Sequence, residues 1–132
     1  MVLVVEDEGA VRRVAKVGLE AYGYTVTLAE NGKEALEQLE RLAGRVDLVL
    51  LDLAMPVMDG EETMREIQRL YPDVAVVVMT GLGDFEAMNQ LRGLGISGFL
   101  EKPFTPEHLA TEVKRAIATG ARGLDRRVPS GS

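Results

Sequence analysis

The stretch D-L-V-L-L-D-L-A-M-P-V-M-D-G, residues 47–60, decides the fold. Leu48 to Leu51 form an unbroken apolar run that meets one acid, Asp52, before Met55-Pro56 interrupts it and Asp59-Gly60 supplies a turn. An apolar run without alternation is what a strand covered on both faces requires. A buried helical turn has the same periodicity, but the shortness of the run and the proline beyond it favour the strand. Such a strand, ending in a carboxylate, delivers that group to a loop crevice. In open parallel α/β sheets, that crevice is where ligands sit.

Strand and helix patterns alternate on either side of this segment. Val2–Val5 is apolar and ends in Glu6-Asp7-Glu8. Val11, Val14, Ala15, Gly18, Leu19 and Tyr22 fall at helical spacing and predict an inward face, with Gly23 as the C-terminal cap. Residues 24–29 read as a second strand, and Asn31 as the cap of a helix packed through Ala35, Leu36, Leu39 and Leu42 and ended by Gly44. Beyond the central strand, Met64, Ile67, Leu70 and Tyr71 predict a third helix stopped by Pro72. Residues 74–79 are rich in valine and make a fourth strand ending in Thr80-Gly81. Phe85, Met88, Leu91 and Leu94 give the faintest helical pattern of the five. Residues 97–101 form a short fifth strand before Lys102-Pro103-Phe104, and Thr105-Pro106-Glu107 opens a last helix with Leu109, Val113, Ala116 and Ile117 inward.

Five strand–helix pairs in strict alternation require parallel strands joined by right-handed crossovers, hence a doubly wound three-layer α/β sandwich. A barrel of eight such pairs needs a longer chain than 132 residues. That length suffices for one domain with its own core, and the absence of cysteine means that no disulfide supports it. Twenty-one acids against fifteen bases, a net charge of −6, argue against a surface built for nucleic acid or anionic lipid. No stretch has the roughly 18 apolar residues of a membrane span, and Met1 leads into Val2–Val5 without a basic leader, so a cytoplasmic location is expected. Residues 1–118 are expected to form the domain. Residues 119–132, rich in Gly, Ser and Arg, read as a flexible tail, a linker or a cloning remnant.

Four strands end in a residue with chemistry to offer: Glu6-Asp7, Asp52, Thr80 and Lys102. In a parallel sheet these ends share one edge, so the residues are neighbours although distant in sequence. Carboxylates gathered there repel, by about 4 kcal/mol for two charges about 4 Å apart at an effective dielectric of 20, and a divalent cation relieves that. Oxygen donors without His or Cys form a hard site suited to Mg²⁺, with Mn²⁺ as a substitute. A carboxylate beside Mg²⁺, a lysine ammonium and a threonine hydroxyl is a set able to move a phosphoryl group onto that carboxylate.

With E-D after the first strand, L-L-D-L-A-M-P-x-M-D-G about the third, T-G after the fourth and K-P-F after the fifth, residues 2–118 resemble the receiver domain of two-component response regulators. The resemblance implies a flavodoxin-like sheet of order 2-1-3-4-5, with the first and fifth helices on one face and the other three opposite. It implies Asp52 as phosphoacceptor, Asp7 as a direct Mg²⁺ ligand, Glu6 acting on the metal mostly through water, and the backbone carbonyl of Ala54 as a further ligand. Thr80 would engage the phosphoryl group, Lys102 would pair with it, and Phe99 would stand at the switch aromatic position. A cis Lys102–Pro103 bond is expected. The donor would be a histidine kinase or histidine phosphotransfer domain, and output would pass through the face of the fourth helix, fifth strand and fifth helix. A phosphorylation-dependent homodimer is a further expectation. His108, the sole histidine, is expected at the surface and not as a phosphodonor.

Ala54 and Leu82 are apolar at positions where fast-hydrolysing members of that family tend to be polar, so a long-lived aspartyl phosphate and slow autodephosphorylation are expected. Haloacid-dehalogenase-like phosphatases need a second Asp where Ala54 stands, and a flavodoxin-like cofactor site needs a phosphate loop where Glu6-Asp7-Glu8 would repel the phosphate. A pseudo-receiver would have lost one of Asp52, Thr80 or Lys102. No DNA-binding helix-turn-helix follows Ile117. That, the abrupt start at Val2, the tail and G-E-E-T at 60–63 favour a receiver excised from a longer protein such as a hybrid histidine kinase, against a stand-alone regulator.

Overall fold

The computed structural model describes residues 1–43, 45–53, 60–81, 89, 93 and 95–119. Along the chain these form β1 (Val2–Val5), α1 (Gly9–Ala21), β2 (Val26–Ala29), α2 (Gly32–Arg41), β3 (Leu48–Asp52), α3 (Gly60–Leu70), β4 (Ala75–Thr80), β5 (Gly98–Glu101) and α4 (Pro106–Thr119). The helix expected from Phe85, Met88, Leu91 and Leu94 lies outside the described residues, so α4 is the element the sequence pattern counts fifth.

The five strands make one sheet of order β2-β1-β3-β4-β5, parallel throughout. β1, β3 and β4 are buried along their whole length, which is why they read as continuous apolar runs and not as alternating ones. Alternate residues serve two cores. Leu3, Val5, Val49, Leu51, Val76 and Val78 pack with Ala35 and Leu39 of α2 and Met64 and Ile67 of α3. On the other face, Val2, Val4, Leu48, Leu50, Val77 and Met79 pack with Ala15 and Leu19 of α1 and Leu109, Val113 and Ala116 of α4. Each fully buried aliphatic side chain stabilises the fold by about 1.5–3 kcal/mol relative to exposure, so the two layers fix the sheet between them.

Local signals set the element ends. Asn31 Oδ1 accepts from the Glu34 amide at 2.9 Å at the start of α2, and Thr105 Oγ1 accepts from the His108 amide at 3.0 Å at the start of α4. Gly23, just past α1, has φ of +94°, a backbone state that a side chain disfavours. Three apolar residues expected to face inward do not: Val14 of α1, Tyr22 just after it and Leu70 of α3 are each about half exposed. The buried stripe of α1 is narrower than helical spacing predicts, Ala15, Gly18 and Leu19 only. The reason is the small-residue contact of α1 with α4. A Cβ on Gly18 would stand 3.3 Å from Pro106 Cβ, and that close approach leaves the flank carrying Val14 and Tyr22 in solvent.

Candidate functional site

Sheet register brings the strand ends together. Val5 pairs with Leu51, so one step further Glu6 and Asp52 stand side by side on adjacent strands. Asp52 pairs with Met79, and Thr80 follows as the last residue of β4. Thr80 in turn pairs with Glu101, and the amide of Lys102 donates to the Thr80 carbonyl at 2.8 Å. The Lys102–Pro103 peptide bond is cis.

The geometry is tight and mostly dry. Glu6, Asp52 and Thr80 are buried, while Asp7 is exposed at the rim. Glu6, Asp7 and Asp52 each place a carboxylate oxygen within 4.8 Å of the others. Lys102 Nζ lies 2.9 Å from Glu6 Oε1 and 3.4 Å from Asp52 Oδ2, bridging two of the three acids. Beyond this ion contact, Oε1 of Glu6 has no hydrogen-bond partner among the described residues. Glu6 Oε2 accepts from the Glu8 amide at 3.1 Å. Burial, reinforced by the neighbouring charge of Asp52, pushes the Glu6 carboxyl up to about 7, although Lys102 and the Glu8 amide pull the other way. Burial pulls the Lys102 ammonium down, but the contact with Glu6 and the charges of Asp52 and Glu6 outweigh it and leave the group raised.

Three oxygen donors within ion-binding reach of one another, one of them forced toward protonation, fit a hard divalent cation. The Thr80 hydroxyl is a second mark of an incomplete site: it is buried and has no hydrogen-bond partner among the described residues. A buried hydroxyl without a partner costs about 1–3 kcal/mol, and a ligand oxygen would recover it.

Gly60, the first residue of α3, meets the residue that follows β3. Its amide donates to the Leu53 carbonyl at 3.3 Å, and a Cβ there would stand 2.8 Å from the Asp52 carbonyl oxygen and closer still to Leu53 Cα. Gly60 of the opening motif therefore stands at a close backbone approach to the end of β3. Ala54 and Leu82 lie outside the described residues. Phe99 is partly buried against the core on the α2–α3 face, and His108 is exposed. Arg12 escaped notice in the sequence. Its Nη1 donates to the Glu6 carbonyl at 2.8 Å, and no motif or spacing flags that contact.

A doubly wound sheet that gathers buried carboxylates, a lysine and a threonine hydroxyl at its carboxyl edge belongs to the class of open α/β domains that bind their ligands there. Residues 2–114 match the model of the response regulator receiver domain, and the chain belongs to that family. It is 42% identical over 116 residues to the sensor kinase CckA of Brucella abortus, covering 88% of this chain and 12% of that protein. It is 37% identical over 118 residues to the transcriptional regulatory protein ResD of Bacillus subtilis, covering 88% of this chain and 47% of that one. Thus the chain spans less than half the length of either relative. Among solved structures, the receiver domain of NtrX from Brucella abortus superposes with a TM-score of 0.85 at 30% identity, over 90% of this chain and 99% of that one. The chain is a receiver domain of the response-regulator family, a membership consistent with a phosphoacceptor role in two-component signalling, and its acidic cluster is of the kind in which such domains bind Mg²⁺.

Proposed function

We propose that Asp52 accepts the phosphoryl group from a phosphohistidine of a histidine kinase or histidine phosphotransfer domain, and that the change alters partner binding. The observation that carries this is the bridging of Asp52 and Glu6 by Lys102, at 3.4 and 2.9 Å, beside the Asp7 carboxylate. An Asp52 carboxylate oxygen attacks phosphorus in line. The P–N bond breaks, its electron pair stays on the imidazole nitrogen, which takes up a proton, and an acyl phosphate remains on Asp52. Lys102 turns from Glu6 to a phosphoryl oxygen, and the Thr80 hydroxyl donates to another. Glu6, Asp7, Asp52 and the backbone carbonyl of Ala54 would hold Mg²⁺ or Mn²⁺, with Glu6 acting mostly through water. When bound, the cation supplies the charge that neutralises and orients the phosphoryl oxygens.

The donor is a helical domain. Ala10, Val14, Val17 and Ala21 are exposed on α1 at alternating spacings of four and three, the seam of a helix–helix contact. That seam runs into an apolar groove of about 480 Å³ lined by Val11, Val14, Pro103 and Phe104 and reaching Lys102. We place the domain at residues 1–118 with a tail or linker at 119–132, in the cytoplasm, where ATP-using kinases work. Output through the fifth strand and last helix with Phe99 as switch, and dimerisation on phosphorylation, belong to the same proposal. Hydrolysis of the acyl phosphate is slow, because neither Ala54 nor Leu82 can orient water; polar residues at both positions should raise the rate.

The decisive experiment is intact mass after incubation with phosphoramidate, with and without Mg²⁺, on wild type and Asp52→Asn. One added phosphoryl group that needs both Mg²⁺ and Asp52 is expected. No gain in the folded, Mg²⁺-loaded protein overturns the assignment and favours a receiver that signals without phosphorylation.

A further inference from the structure

The turns that open the helices are held in different ways. α2 and α4 each start from a capping side chain, Asn31 or Thr105. α1 does not: Glu8 stands at its N-cap position without a side-chain cap bond, and no acid occupies its first turn. Instead Arg12, in that first turn, reaches back over the 6–8 turn. Its Nη1 donates to the Glu6 carbonyl at 2.8 Å, and its Nη2 faces the Glu30 carboxylate of the next strand–helix turn at 3.8 Å. A cation near a helix N-terminus opposes the helix dipole, so local preference does not explain an arginine there. A residue that breaks a local rule while making a long-range contact points to a demand from the site.

We infer that Arg12 is a positioning residue of the acceptor site, holding the turn after β1 through the Glu6 carbonyl so that the Glu6 and Asp7 carboxylates face a divalent cation. This inference rests on the metal site proposed above. Were one of the acids in this turn to cap α1, its oxygens would be spent on backbone amides. Glu6 already gives Oε2 to the Glu8 amide, which leaves Oε1 and the Asp7 carboxylate for the cation or Lys102. Arg12 supplies the restraint from outside the ligand set, through the Glu6 backbone carbonyl on one side and Glu30 on the other. The arginine side chain is four-fifths buried, so its fork is fixed in place. Arginine suits this position because one planar group reaches a carbonyl and a carboxylate together, which an ammonium does less well.

The test is calorimetric titration of Mg²⁺ into wild type, Arg12→Met and Arg12→Lys, each verified as folded by circular dichroism, followed by phosphorylation with phosphoramidate across a Mg²⁺ series. Loss of a group that orients ligands from behind weakens metal binding by about 10–100-fold. Arg12→Met is expected near the lower end of that range, and Arg12→Lys between it and wild type. The Mg²⁺ concentration giving half-maximal phosphorylation should rise in step, with the rate at saturating Mg²⁺ nearly unchanged. A purely structural role would lower the melting temperature without moving the Mg²⁺ affinity of the folded fraction. Equal Mg²⁺ affinity in folded Arg12→Met, or in Arg12→Lys if Arg12→Met does not fold, overturns the inference. Wild type that binds no Mg²⁺ overturns the metal site and the inference together, whereas wild type that binds normally with an unaffected variant overturns only the inference.

Discussion

The two edges of the sheet carry ion pairs of similar length in different surroundings. At the amino edge, the Met1 ammonium meets Asp47 Oδ2 at 2.6 Å, with the aspartate side chain 64% exposed. At the carboxyl edge, Lys102 meets Glu6 at 2.9 Å, with the glutamate side chain fully buried. The shorter contact is the weaker one. Water screens the first pair and solvates either partner when the other is lost, so it contributes about 0–1 kcal/mol. The second pair has been taken out of water, and removing one partner strands the other. Distance alone does not rank ion pairs; the cost of leaving a charge unpaired does.

The largest break in this contrast should come from Lys102→Met. Without its ammonium, the fully buried Glu6 carboxylate loses its counter-charge, and a loss of about 3–5 kcal/mol is expected in urea unfolding without metal at pH 8. At pH 6 the loss should shrink, because Glu6 can then carry a proton.

The pH dependence of the metal-free chain is the next largest effect. The folded-state value of Glu6, about 7, lies above its ordinary 4.5, so between those values the folded state binds more protons than the unfolded state. The Glu6 contribution therefore falls as pH rises from about 4.5 to about 7 and is level above, a change of about 3 kcal/mol. Lys102 acts in a separate window: its raised value adds stability that is full below its ordinary 10.5 and lost at higher pH. Denaturant titrations across pH 4.5–8 should reveal the Glu6 slope, and saturating Mg²⁺, which favours the ionised carboxylate, should flatten it. A flat metal-free profile would mean that Glu6 is not the strained group.

Gly60→Ala tests the backbone at the carboxyl edge without touching a charge. The added methyl would press on the Asp52 carbonyl and Leu53, and a loss of about 2 kcal/mol is expected in thermal or urea unfolding. The smallest effect is Asp47→Asn, which removes the exposed partner of Met1 and should cost about 0.5 kcal/mol, less at high salt.

Much of this molecule was legible as pattern. The residues 47–60 stretch announced a doubly buried strand ending in Asp52, and the strand lies at Leu48–Asp52 in the middle of the sheet. Asn31 and Thr105 announced the starts of their helices because a cap is a contact within four residues, which sequence spacing can encode. Val14, Tyr22 and Leu70 misled because periodicity says which residues share a helix face, not how much of that face a neighbour covers. The close contact of Gly18 with Pro106 settles that coverage for α1.

The sequence by itself determined the alternation of strands and helices, the apolar identity of the two cores, and the presence of Glu6, Asp7, Asp52, Thr80 and Lys102 at strand ends, because these follow from local periodicity and residue type. Only the tertiary structure decided that Lys102 bridges Glu6 and Asp52, that Glu6 is driven toward protonation, that the Thr80 hydroxyl has no partner among the described residues, and that Arg12 reaches back to the Glu6 carbonyl. Each of these depends on desolvation or on a distance between chain segments. Both quantities exist only after the sheet has assembled and its register has set which groups lose their water together.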